Sequence, residues 1–189
     1  MDFENDIVHE EGKFKAWGIP EEVKKQHALE NTKKVLDRAR EIGINIVYII
    51  VGFSKDYKEL KGNKTPIAAV YPSLQALHLE EWGTQVHAML KPKETETVFI
   101  KHRINPFTHP GLKQYFQKHK IKTFILTGVA TNFVVESTAR QASDEDYEVI
   151  VIEDCCASKS KEMHDFSIQN ILPTLGSVIK AADVLKILR

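Results

Sequence analysis

Short, continuously apolar runs rich in β-branched residues, such as IVYIIVGF, TFILTG and EVIVIED, alternate along this chain with segments of helical spacing. Runs of six to eight residues are too short for ordinary helices and suit strands buried on both faces. Strands of that kind need cover on both sides, and a helix between each consecutive pair supplies it. The pattern predicts an α/β fold, a Rossmann-like three-layer sandwich around a mainly parallel sheet.

The elements follow in order. PEEVKKQHALENTKKVLDRAREIGI predicts one helix with an apolar stripe of Val23, Leu29, Val35, Leu36 and Ala39, stopped by Gly43. A strand from Asn45 to Phe53 comes next. Between Ser54 and Lys93 the reading is irregular, with KGNKTP a loop by composition and SLQALHLEEWG a short helical piece ended by Gly83. A strand from Thr95 to Lys101, the loop HRINPFTHPG and a helix over LKQYFQKHK follow. TFILTG then predicts a strand, Asn132 to Asp144 a helix, EVIVIED a strand and MHDFSIQNIL a helix. A short strand at Ser177 to Ile179 and the helix ADVLKILR close the pattern. With 42% hydrophobic residues, the 189 residues are expected to form a single domain, 1–189.

Lys and Arg number 26, as do Asp and Glu, so nothing suggests capture of nucleic acid or of an anionic membrane. The longest apolar run, Ile46 to Phe53, is far short of the roughly 20 residues that span a bilayer. No secretory or lipidation signal is visible. The two cysteines, Cys155 and Cys156, are adjacent and make no ordinary staple, which points to a reducing cytoplasm. A small-molecule partner is the expectation.

Ligands of open parallel sheets gather at the carboxyl ends of strands, which directs attention to Lys101, to Gly128 through Asn132, and to Asp154 through Cys156. Asp2 begins a loop of the kind that follows a strand, yet only Met1 precedes it.

DFENDIVHEEGKF, FIKHRINPF, LTGVATNFVVESTARQA and VIEDCCAS, in this order and spacing, resemble the signature segments of the isochorismatase-like, or cysteine hydrolase, superfamily. That resemblance implies a six-stranded parallel sheet with helices on both sides, commonly assembled into homodimers or homotetramers. It implies a catalytic aspartate at Asp2, a lysine at Lys101, and a nucleophilic cysteine at the position held here by Val134. It also implies a non-proline cis peptide in the turn at Val129 and Ala130, followed by Thr131 and Asn132 where a helix cap is wanted. The amides of that helix start would face developing negative charge. Relatives deliver the aspartate from a central first strand. Its absence here would leave two sheet edges and a gap in the core, and suggests apolar residues upstream of Met1.

Valine has neither lone pair nor ionisable proton, so covalent amide hydrolysis at residue 134 is excluded. Isochorismatases within the superfamily also lack the cysteine, and hydrolyse a vinyl ether by protonating its terminal carbon. Asp2 is the expected acid, with Lys101 orienting it. His102, Arg103, Asn105 and Phe107 are expected to shape the pocket mouth, with loop solvation as the alternative, and His102, Phe107 and Asn132 are the expected substrate-binding residues. Other readings are a catalytically inactive member kept for binding or assembly, with Asp2 and Lys101 a structural ion pair, and a thiol of Cys155 or Cys156 approaching the site. Nicotinamidases of the superfamily carry an Asp-x-His motif where this chain reads VGFSKD, so neither a metal nor another cofactor is expected.

Overall fold

The computed structural model describes residues 1–188. Five strands are present among them: β1 (Val47–Val51), β2 (Thr97–Lys101), β3 (Thr123–Val129), β4 (Glu148–Ala157) and β5 (Ser177–Ile179). All pairings are parallel, as strands apolar on both faces require. They form two sheets, β1–β2 and β3–β4–β5, rather than one of six strands.

The N-terminus joins the two sheets. Met1 donates through its ammonium to the Thr127 carbonyl at 3.0 Å and accepts from the Val129 amide at 3.1 Å, while the Asp2 amide donates to the Ile49 carbonyl at 2.9 Å. Two residues therefore make parallel rungs to β1 on one side and to β3 on the other. Gly128 permits the close approach, since a Cβ there would lie 2.6 Å from the Met1 carbonyl oxygen. Below these rungs the sheets part around a groove of about 480 Å³.

Helices cover both faces. Val35 of α3 (Ala28–Glu41) packs with Ile152, Cys155, Ala181 and Val184 on one side of β4, the last two from α8 (Ala181–Ile187). On the other side, Ala139 and Ala142 of α6 (Glu136–Asp144) pack with Val149, Val151 and Cys156. The pairing of β4 with β3 slips between Leu126 and Gly128, whose partners are Val151 and Cys156. Strand alternation sends the adjacent cysteines into separate cores, Cys155 with Ile152 and Cys156 with Val149 and Val151, and both are buried.

Three expectations need correction. The segment before β1 is two helices, α2 (Ile19–Lys25) and α3, because His27 adopts a left-handed backbone with φ 53°. The helical piece expected over SLQALHLEEWG lies earlier, as α4 (Pro66–Leu74), where Ala68 and Tyr71 are buried and Gln75 at φ 49° ends it. Core burial, rather than local propensity, sets that boundary. The helix expected from Asn132 opens one residue earlier, as a π-helical turn over Thr131–Val135 that leads into α6.

Candidate active site

Asp2 leaves the N-terminal rung with φ 55°, a left-handed conformation that aspartate tolerates better than most residues. Lys101 ends β2 in register with Val51, and strand alternation aims it inward while His102 turns away. The two side chains meet: Lys101 Nζ lies 2.8 Å from Asp2 Oδ2, with both residues buried. The other carboxylate oxygen, Oδ1, is buried with no hydrogen-bond partner among the described residues. Burial pushes the Asp2 carboxyl above its usual range, and the attraction of Lys101 opposes that shift.

A second carboxylate stands behind the first. Glu4 is fully buried, accepts from the Val51 amide at 2.5 Å through Oε1, and leaves Oε2 without a partner. Burial and the nearby Asp2 charge push it up to about 8, so at neutral pH Glu4 holds a proton. Burial lowers the Met1 ammonium from its ordinary value.

Asp2, Lys101, Tyr71, Val129, Phe133 and Val134 surround a cavity of about 70 Å³. That volume is room for about two water molecules. Trp17 and Lys159 stand on its outer side, with Lys159 Nζ 5.8 Å from the centroid of the Trp17 ring. The Val129–Ala130 peptide is cis, and the π-helical turn after it carries Val134 into the cavity wall.

The turn is held by side chains the sequence reading assigned to capping. Neither Thr131 nor Asn132 caps the helix. Thr131 Oγ1 is 2.8 Å from His164 Nδ1, and Asn132 Oδ1 accepts from Ser158 Oγ at 2.5 Å. His164 Nε2 faces Gln26 Nε2 at 2.8 Å and must accept there, so the neutral imidazole donates to Thr131 through Nδ1. Burial lowers the His164 pKa, consistent with that neutral form.

The residues expected at the pocket mouth are dispersed. His102 Nδ1 bonds the Gly52 carbonyl at 2.7 Å, and Phe107 packs edge-to-face on Phe116 with centroids 5.9 Å apart, along the groove rather than the cavity. Arg103 donates to the Glu59 carbonyl at 3.1 Å, and Asn105 caps the short turn that Phe107 enters. Asn132 points to Ser158, not into the cavity lining. Sequence reading missed Glu4 and Tyr71. For Glu4 the signal was its spacing of two from Asp2, which puts both carboxylates near one lysine; for Tyr71 there was none.

The cavity holds one buried acid–cation pair, an orphaned carboxylate oxygen and apolar walls. It presents no thiol: Cys155 and Cys156 are absent from its lining, and burial pushes Cys156 up to about 12. Ser158 lines it, but its hydroxyl is engaged in donating to the Asn132 amide oxygen. Among the described residues, no group of three His, Cys, Asp or Glu side chains is placed to hold a metal ion. No helix among them is long and apolar enough to cross a membrane.

Comparison with known proteins agrees with this fold. The chain is 32% identical to the isochorismatase family protein YecD of Escherichia coli O157:H7, over 82% of this chain and 80% of that protein. It is 28% identical to the ureidoacrylate amidohydrolase RutB of Acinetobacter baylyi, over 82% and 68% respectively. The crystal structure of an isochorismatase-like hydrolase from Alkaliphilus metalliredigens superposes with a TM-score of 0.78 at 25% identity, covering 100% of this chain and 96% of that one. The isochorismatase domain matches residues 1–183, and the chain belongs to the isochorismatase family.

Proposed function

We propose that this protein hydrolyses a small carboxylated vinyl ether, with Asp2 as general acid, Lys101 as its positioning cation and no covalent intermediate. The observation that carries this reading is Asp2 Oδ1: a buried oxygen without a partner, on a carboxyl whose other oxygen is fixed by Lys101. Its raised pKa favours the protonated form that an acid catalyst needs.

Asp2 transfers its proton to the terminal alkene carbon, and the π electrons form the new C–H bond. The cation left behind is stabilised by the ether oxygen as an oxocarbenium ion. Water adds to it and returns a proton to Asp2, and the hemiketal collapses to ketone and alcohol. Lys101 holds the carboxylate while it is charged, and Val134 and Phe133 keep the surroundings apolar. A cysteine has no part in these steps. The amide turnover named for the ureidoacrylate relative would need a nucleophile at the cavity, where this chain has Val134.

The cavity volume of about 70 Å³ favours a second reading, an inactive member kept for binding or assembly. Under the first reading, Trp17 and Lys159 must move to admit substrate. Assembly is itself part of the proposal: Phe166 on α7 (Lys161–Phe166) is 61% exposed beside exposed Met163, an apolar patch suited to a homodimer or homotetramer contact in the cytoplasm.

A substrate screen tests the proposal, with carboxylated vinyl ethers in one arm and ureido-acid amides in the other. Turnover confined to the vinyl ethers supports it. Amide turnover, or none in either arm with ligand binding retained, would overturn it.

A further inference from the structure

The cavity beside Lys101 contains a hydroxyl that the hydrolytic steps leave unused. Apart from Trp17 and Lys159 on its outer side, the polar side chains among its described lining residues are Asp2, Lys101, Tyr71 and Ser158. Lys101 donates to Asp2 and Ser158 donates to Asn132, so both groups are engaged. The Tyr71 hydroxyl has no hydrogen-bond partner among the described residues. A buried phenol ordinarily finds one, because an O–H cut off from water and left unmatched is costly.

The fold holds that hydroxyl in place. Tyr71 follows Ile67 by about one helical turn on α4, and both side chains line the cavity. Its ring packs against Phe53, with centroids 4.8 Å apart, and against Phe14, at 6.3 Å, and the residue is only 9% exposed. A ring packed in this way does not swing to a partner elsewhere. Burial, together with the charges of Asp2 and Glu4, holds the phenol above its usual range, and the Arg103 guanidinium opposes that shift. The hydroxyl therefore keeps its proton and serves as a donor.

The acceptor this donor suits best is an anion, since a hydrogen bond to a carboxylate is roughly twice as strong as one to a neutral oxygen. With its proton in place Asp2 is neutral and does not repel such an anion, while the Lys101 ammonium attracts it. We infer, resting on the proposed vinyl ether hydrolysis, that Tyr71 is a specificity-determining residue whose hydroxyl donates to the substrate carboxylate. A neutral analogue gains less from the same donor, so the cavity selects acids over amides.

Tyr71→Phe tests this, because it removes the hydroxyl and keeps the ring against Phe53 and Phe14. Binding and turnover are read separately, with 2-methoxypropanoate as a saturated, unreactive acid and 2-methoxyacrylate as the vinyl ether. In ligand-observed NMR titrations the variant is expected to bind 2-methoxypropanoate about tenfold more weakly than the parent, and 2-methoxypropanamide within about twofold of it. With 2-methoxyacrylate, KM is expected to rise about tenfold while kcat changes by less than about threefold, as for a bond made equally before and during proton transfer. The variant should be at least as stable in urea, because no hydrogen bond within the protein is lost. Equal losses for acid and amide, no loss for either, or a parent that does not bind the acid would overturn the inference. A markedly less stable variant would reveal an internal partner for the hydroxyl and overturn it too. Binding of 2-methoxypropanoate that depends on Tyr71, with no turnover of 2-methoxyacrylate, would support carboxylate recognition and count against the vinyl ether chemistry instead.

Discussion

Lys101 holds one oxygen of Asp2 at 2.8 Å and leaves the other without a partner. A buried pair of this kind is stabilised only while both members are present, because the survivor is left with an uncompensated charge. Asp2→Asn is therefore expected to cost about 3–5 kcal/mol. The double variant Asp2→Asn/Lys101→Met should recover most of that loss. Urea denaturation of both proteins measures it, and equal stability of the single and double variants would refute the coupling.

Glu4 makes stability depend on pH. Its folded value of about 8 lies above the ordinary 4.5, so between those limits the folded state binds more protons than the unfolded one. Stability from this group is fully present below pH 4.5 and is lost as pH rises through 8. Glu4→Gln retains an acceptor for the Val51 amide and removes the titration. Thermal midpoints across that range should fall with pH in the parent and flatten in the variant. A parallel fall in both proteins would show that Glu4 is not the titrating group.

His164 acts in the opposite sense. Its folded pKa lies below the ordinary 6.5, so the unfolded state takes up the proton first and stability declines as pH drops below 6.5. His164→Ala also leaves Thr131 Oγ1 and Gln26 Nε2 without their shared partner, at a cost of about 1–3 kcal/mol at neutral pH. Chemical denaturation at pH 7 and pH 5 checks both effects: the variant should be weaker at pH 7 and lose less between the two.

Val134→Cys would place a thiol in the cavity beside Lys101, whose positive charge favours the thiolate. Alkylation by iodoacetamide should be at least about tenfold faster in this variant than in the parent, whose buried cysteines have raised pKa values. Intact mass spectrometry over time gives the comparison. An ureido-acid amide should also leave a trapped acyl adduct on the variant alone.

The architecture was legible because its signals are local. Alternating apolar runs and helical stripes located all five strands, and the resemblance placed Asp2 and Lys101 at one site from positions 99 residues apart. What stayed hidden depends on tertiary fit. The break at His27 and the start of α4 at Pro66 are decided by which face reaches the core, as the burial of Ala28, Ala68 and Tyr71 shows. Thr131 and Asn132 carry the composition of a cap, yet their side chains are drawn to His164 and Ser158 on distant segments. Phe107 sits in a loop that reads as solvated, and the fold turns it into the groove against Phe116. Nothing local distinguishes those outcomes.

The central claim is that Asp2 donates a proton to carbon without a nucleophile beside it. Its most direct test is hydrolysis of a carboxylated vinyl ether in D2O, followed by NMR of the ketone, for the parent and for Asp2→Asn/Lys101→Met. The account predicts a single deuterium in the new methyl group and a rate lower in the double variant by roughly 10² to 10⁴-fold, the usual worth of general acid catalysis. Equal rates in the two folded proteins would contradict it.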